Sequence, residues 1–385
     1  MVVLNVVKRF KKVCYTDIYY VNYSIFWGWV MGYPMIELDS SKIKENTKLI
    51  VDECHKRGIQ VAGVTKAFAG YERIVKAIVD GGIDIIADSR IENLKKFKKY
   101  ELPKMLIRIP MKSQVREIIN YSDIALVSEL DTIIQLQEYA KKENKKYKII
   151  LMIDVGDLRE GIFYKEKQEI YATVKKILEL SNIELHGIGT NLCCYGGVIP
   201  TKDNLTELVS IKKDLENYFK IRIPIISGGN SENIQIMRMN EMPMGINQLR
   251  IGVALTMGIG LYDKPVEGLN TDTIKLYAEI VEIKIKPSVP IGIIGIDAFG
   301  AKPQFEDRGF RKRAICALGR QDVYPEFLQP IDEKIKVLGS SSDHLIIDIT
   351  ESDKELRIGD VIEFHVLYGG LLSAMTSKYV KKKVL

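Results

Sequence analysis

From Tyr33 to about Leu261, short apolar runs alternate with longer amphipathic segments. The short runs are "YPMIELD", "IQVAGVTK", "IDIIADS", "KMLIRI", "IALVSE", "YKIILMIDVG", "IELHGIGTN", "IPIISGGN" and "QLRIGVAL". Runs this rich in Ile and Val predict strands buried on both faces, and helices joining them imply a parallel sheet. The intervening segments fit that role. "SSKIKENTKLIVDECHKRG" predicts a helix capped by Ser40 or Ser41 and ended by Gly58. "KQEIYATVKKILEL" spaces its apolar residues by three and four, the helical period. Eight strands follow the first helix, the number that closes a (β/α)8 barrel. No G-x-G-x-x-G turn follows the first strands, which counts against an open doubly wound sheet.

After about Asn270 the pattern changes. "IKLYAEIVEIK", "GFRKRAICALG", "KIKVLGSS", "HLIIDIT" and "VIEFHVLYG" read as strands separated by Gly, Pro and Asp turns without helices between them. The expected organisation is an α/β chain: a (β/α)8 TIM-type barrel over 31–265, then an all-β domain over 266–385. The boundary falls near "YDKPVEGLNTD". The length of 385 residues suits one large and one smaller domain.

The first thirty residues are unlike the rest of the chain, with a basic cluster and then an aromatic stretch broken by Asn22 and Ser24. They lack the clean apolar core of a signal peptide and the roughly 20 apolar residues of a membrane span. An interfacial anchor through Phe26, Trp27 and Trp29 is the functional alternative. The expectation is an atypical leader, disordered or outside the true start, with Met31 as the working start. Lys8, Arg9, Lys11 and Lys12 against Asp17 supply +3 of the formal net charge of +6. The remaining +3 is too dispersed for a nucleic-acid surface. Five cysteines show no spacing suited to a disulfide framework or a zinc site, so a cytoplasmic setting is expected, with no metal.

In α/β barrels the active site is built from the C-terminal ends of the strands and the loops after them. Those positions hold Lys66, Ser89 with Arg90, Arg108, Asp154 with Arg159, Asn191, Ser227 to Gly229, and Arg250. Several are cationic, so the mouth attracts phosphate or carboxylate. A lysine crowded by arginines and partly desolvated has a lowered pKa, and its free amine can form a Schiff base with an aldehyde. The bland alternative is a lysine that merely snorkels from a strand end. "IISGGNSENI" adds two glycines, a hydroxyl from Ser227, and a helix start that Ser231 or Asn230 can cap, all suited to an anion. Gly252 in "LRIGVAL" offers a second close backbone approach. Together these fit pyridoxal phosphate.

"YPMIELD…VTKA", "DVGDLREG", "GIGTN", "SGGNS" and "LRIGVAL" occur in an order and spacing that resembles the alanine racemase superfamily of barrel-type pyridoxal-phosphate enzymes. The resemblance continues through "DAFG", "GRQDV", "SSSDHLIIDI" and "YGGLLSAMTSKYV", toward ornithine racemase-like amino-acid racemases, and covers 33 to 380. It implies that Lys66 holds the cofactor and acts as one acid/base group. It implies further that Arg250 sits against the pyridine nitrogen, and that Ser227, Gly228, Gly229, Gly252, Val253 and Tyr368 surround the phosphate. Asn191 stands where a ring-stacking histidine is found, and Arg159 would hydrogen-bond the phenolic oxygen or the substrate carboxylate. It also implies a homodimer whose active sites are completed by the partner's β-domain.

Two departures stand out. Met152 occupies the place of a carbamylated lysine, so support for Arg159 must come from elsewhere. Phe299 in "DAFG" stands where the family's second base is a tyrosine, and a phenyl ring carries no proton. His344 or Asp343 in "SSSDH" is the candidate replacement, histidine having a pKa near neutrality; the alternative is a merely structural His344. His55, His186 and His365 read as structural, and Cys316 as a small core residue. Asp297, Glu306, Asp307 and Asp322 are the acids available for a distal substrate ammonium. The expected function is an amino-acid racemase acting on ornithine or a related basic amino acid. Its alternatives are a decarboxylase on the same barrel, disfavoured by Arg250 and by Ser342 before Asp343, and a non-catalytic cofactor-binding protein, which leaves the β-domain unexplained.

Overall fold

A computed structural model describes residues 32–385; the leader, and with it the expected anchor and working start, lies outside the described residues. Eight parallel strands close on one another. In order they are Gln60–Val64, Ile85–Asp88, Lys104–Leu106, Ile124–Val127, Tyr147–Asp154, Ile183–Gly189, Ile225–Ser227 and Gln248–Ile251, the last pairing with the first. A short ninth strand, Ile162–Phe163, is appended beside Ile153 and Asp154. Their β-branched composition reflects burial on both faces. Ala62, Val64, Ala87, Met105, Leu126, Ile150 and Met152 fill the barrel as one cluster, and a larger cluster lies between strands and helices. Met152 is wholly buried and uncharged.

The first helix, Ser40–His55, starts one residue earlier than the serines suggest. Asp39 is the cap, its Oδ1 accepting from the Lys42 amide at 3.0 Å. Aspartate and serine are nearly equivalent at that position, so composition alone does not choose between them. Ser231 does not cap the helix Asn233–Arg238 either; its hydroxyl accepts from the Gly252 and Ala254 amides, both at 3.3 Å. It therefore ties two neighbouring strand ends together.

The second sheet runs Leu328–Pro330, Val361–Val366, Ile274–Pro287, Phe310–Cys316, Leu345–Asp348 and Lys336–Ser340, all antiparallel. Met35–Leu38, counted with the barrel on sequence grounds, belongs to this sheet instead. It pairs antiparallel with Ile274 to Tyr277 and parallel with Lys381–Val384. Residues before the barrel thus cross the expected boundary at 265, because a short apolar run does not encode which sheet takes it up. The sheet also carries the helix Tyr368–Thr376, which packs against the turn Lys66–Phe68 at the barrel mouth. Gly369 and Gly370 allow that helix to approach Phe327, whose ring and backbone a Cβ would strike. Among the described residues no helix is long and apolar enough to cross a membrane.

Ile36 is fully buried on the shared strand. Ile36→Ala should lower unfolding free energy by about 2–5 kcal/mol, read from urea denaturation. A change below about 0.5 kcal/mol would show that this strand does not hold the sheet.

Candidate active site

A cavity of about 630 Å³ opens at the C-terminal ends of the barrel strands. Lys66 lies in its wall. The strand Gln60–Val64 ends at Thr65, whose amide donates to the Ala87 carbonyl and whose hydroxyl donates to Asp88 Oδ2 at 2.5 Å. Asp88 is itself buried and accepts from the Arg90 amide and Asn93; burial pushes its carboxyl above the usual range. This pinned turn presents the next residue, Lys66, to the cavity. Among the described residues the Lys66 ammonium has no hydrogen-bond or ion-pair partner. Burial lowers its pKa, the charge of Arg159 adds to the effect, and Cys194 and Glu160 oppose it.

Arg250 forms the back of the site and is 4% exposed. Its Nη1 donates to the Ser227 hydroxyl, and its Nη2 donates to the Thr190 carbonyl at 2.6 Å and to Asn191 Oδ1. Burial pulls the guanidinium down to about 10, which leaves it protonated at neutral pH. Asn191 donates through Nδ2 to Glu160, and Glu160 also receives Nε and Nη2 of Arg159. Burial opposes the Arg159 charge and is the largest single effect, but the Glu160 hydrogen bond and the charges of Cys194, Glu160 and Asp157 together outweigh it and raise the pKa. The support for Arg159 that Met152 does not give thus comes from its own neighbour.

Of the residues expected at the mouth, Lys66, Ser89, Arg108, Arg159, Asn191, Arg250, Gly252, Val253 and Tyr368 line the cavity. Ser227, Gly228 and Gly229 lie behind its surface. The Ser227 hydroxyl is spent on Arg250, and Gly229, at φ +133°, packs against Asn233. Asn230 and Ser231 line the cavity at that end. Asp343 and His344 are not brought to it. They sit, half exposed, in the turn before Leu345–Asp348 on the second sheet, with His344 Nδ1 2.8 Å from Asp343 Oδ1. Cys316 is buried in that sheet, its thiol pushed up to about 12 by burial. Asp322 is buried and accepts from Ser377.

Two residues that sequence reasoning passes over organise the loops. Asp157 is 1% exposed and gathers the amides of Cys194, Tyr195 and Val198, fixing the loop after Ile183–Gly189. Glu160 lies within "DVGDLREG", without a signal that separates it from a solvated acid. The one hint is Gly161, at φ +124°, where a Cβ would lie 2.6 Å from the Asp154 amide nitrogen. A chain forced back onto its own strand directs the preceding side chain to the mouth.

Residues 38–259 match the alanine racemase N-terminal domain family. The chain is 46% identical over 354 residues to the ornithine racemase of Acetoanaerobium sticklandii, covering 92% of this chain and 100% of the relative. It is 41% identical over 355 residues to the lysine racemase of Thermotoga maritima, covering 91% and 98%. In fold it is similar to the alanine racemase of Bartonella henselae, solved with covalently bound pyridoxal phosphate. That likeness has a TM-score of 0.70 at 19% identity and covers 92% of this chain and 100% of that one. With its closed parallel barrel, its appended antiparallel sheet and relatives matched over nearly their whole length, the chain belongs to the alanine racemase family.

Proposed function

We propose that this protein is an amino-acid racemase that uses pyridoxal phosphate to interconvert enantiomers by proton transfer at Cα, acting on ornithine or a related basic amino acid. The observation that carries the reading is Lys66: a largely covered amine, without a partner among the described residues, in the wall of a cavity that also holds Arg108, Arg159 and Arg250. The relatives named for ornithine and lysine support the substrate class.

The residues present fit the cofactor. Lys66 would hold its aldehyde carbon, Arg250 would face the pyridine nitrogen and Asn191 the ring. Gly252, Val253, Ser231 and Tyr368 would meet the phosphate, with Ser227, Gly228 and Gly229 forming the layer behind them. Bound there, the cofactor supplies the electron sink that a carbanion at an amino-acid Cα requires. Arg250, having no lone pair to accept a proton, would donate to the ring nitrogen and would not share a proton with it. Arg159 would hold the phenolic oxygen or the substrate carboxylate. Lys66 then takes the Cα proton on one face and returns it, its lowered pKa keeping more of the amine free near neutrality.

The other face needs a group from elsewhere, because Phe299 cannot exchange a proton. His344 with Asp343, supplied by a second copy, fills that role. Asp343 occupies Nδ1 and leaves Nε2 free, and the Ser341 hydroxyl accepts from the His344 amide at 3.1 Å. Ile285, Ile291, Ile293, Ile296, Phe299 and Phe310 are exposed along one stretch of the same sheet domain. Apolar surface of this extent favours burial in a two-fold dimer. Asp297, Glu306 and Asp307 flank it and are available to a distal ammonium. Cys54, Cys193, Cys194 and Cys316 form no disulfide among the described residues, in keeping with the expected cytoplasmic setting.

Purified with pyridoxal phosphate, the protein should be yellow. Lys66→Ala should lose that band and at least on the order of 10²–10⁴-fold in activity. Offered single enantiomers of ornithine, lysine, alanine and serine in heavy water, the wild-type protein should racemise the basic ones with deuterium at Cα. Release of carbon dioxide would identify a decarboxylase, and no turnover a carrier. In competitive acetylation followed by mass spectrometry, Lys66 of the apoprotein should become reactive at lower pH than exposed lysines, since the free amine appears above the pKa. A midpoint at the ordinary 10.5 would contradict its burial. Finally, mixing inactive Lys66→Ala and His344→Ala proteins should restore about a quarter of wild-type activity, because half of randomly exchanged dimers are mixed and each has one intact site. No restoration would refute the shared site.

A further inference from the structure

The most connected acid in the cavity is one that the proposed proton transfer does not use. Glu160 is 15% exposed at its side chain. Its two oxygens receive three N–H donors from two directions: Nε and Nη2 of Arg159, and Nδ2 of Asn191. Asn191 has one amide orientation available. Turned over, its oxygen would face a carboxylate and its NH₂ would face the Arg250 guanidinium, losing both hydrogen bonds. The donors of this relay are therefore fixed: Arg159 and Asn191 both donate to Glu160, and Arg250 donates to Asn191 and to Ser227. A hydrogen bond with an ionised partner is about twice as strong as a neutral one, and every bond of this relay includes an arginine or a carboxylate.

The position of Glu160 is built rather than incidental. Asp154 Oδ1 accepts from the Gly156 and Leu158 amides, turning the chain immediately after its strand. Ile162 and Phe163 then return to pair with Ile153 and Asp154. Residues 157–161 are closed at both ends, and Glu160 is the acid this loop places between the two arginines. Lys66, Arg159 and Arg250 would otherwise be three cations sharing one wall of the cavity.

We propose that Glu160 is the positioning residue of this site: its carboxylate, acting directly on Arg159 and through Asn191 on Arg250, holds both guanidiniums at fixed positions and offsets their charge beside Lys66. The inference rests on the racemase reading for its kinetic arm. Glu160 touches neither substrate nor reacting atoms in this role, so its loss should act on alignment and on the lysine's proton affinity together.

The test compares wild type with Glu160→Gln, Glu160→Asp and Asn191→Ala as full chains. On the apoproteins, the acetylation midpoint of Lys66 is measured. Removing the nearby negative charge disfavours the ammonium, so the Glu160→Gln midpoint should fall below wild type, while Glu160→Asp should stay near it. On the loaded enzymes, kcat/KM should fall on the order of ten- to a hundredfold in Glu160→Gln, carried mainly by kcat. Asn191→Ala should fall comparably, and the double variant no further than the worse single one, since both cut the same relay. An unshifted midpoint, additive losses, or kcat/KM within twofold of wild type would each overturn the proposal. Should Glu160→Gln fail to fold, Glu160→Asp decides: it must keep the midpoint yet lose kcat/KM, because its shorter arm cannot span both partners. If wild type neither binds the cofactor nor racemises, the racemase reading fails while the apoprotein midpoint still judges the charge role of Glu160.

Discussion

The parallel pairing of Gln248–Ile251 with Gln60–Val64 is the contact on which the site depends. Its register sets Arg250 beside Ala62 and Ile251 beside Gly63, so the chain emerges as Gly252 next to Val64, where an added Cβ would lie 3.1 Å from the Val64 Cβ. Lys66 comes two residues later on one strand, Val253 one residue later on the other. A register slip of one residue would turn every side chain to the opposite face of its strand. Arg250 would then leave Ser227 and Asn191, and the wall around the lysine would lose its most deeply buried cation. Closing the barrel and assembling the site are the same event.

Around that contact, the loops are held by buried carboxylates rather than by hydrophobic packing. Asp88 fixes the turn before Lys66, Asp154 turns the chain toward Glu160, and Asp157 clamps the loop carrying Cys193 and Cys194. Each accepts backbone N–H groups that would otherwise be unsatisfied at a strand end, which is what makes burying these acids tolerable. The mouth of the barrel is thus rigid where it must position charges. The helix Tyr368–Thr376 closes one side from the second sheet domain, so the two domains meet at the cavity itself.

The barrel is legible in the sequence because eight Ile- and Val-rich runs separated by amphipathic helices leave few other ways to bury both faces. Lys66 and Arg250 are legible for the same reason, since charged residues at the ends of such runs have only the mouth to occupy. Met35–Leu38 is not, because four apolar residues carry no information about their partner strand. Glu160 is hidden among 50 acidic residues, its bond to the distant Asn191, and through Asn191 its link to Arg250, forming only after closure. The glycines after Ser227 suggest ligand contacts from sequence, whereas close packing of Gly228 against Ile246 and of Gly229 against Asn233 already accounts for their missing side chains.

The charge inventory of the cavity constrains how protons can move. Arg159 and Arg250 remain protonated at neutral pH and Asn191 does not titrate, so none of the three can exchange a proton with a substrate carbon. Glu160 has both oxygens engaged by Arg159 and Asn191. Among the groups at the centre of this wall, Lys66 is left as the exchangeable one, and burial tunes it in the needed direction. One such group serves one face of Cα. Inversion requires a second proton-carrying group on the opposite face, and Phe299 cannot provide it.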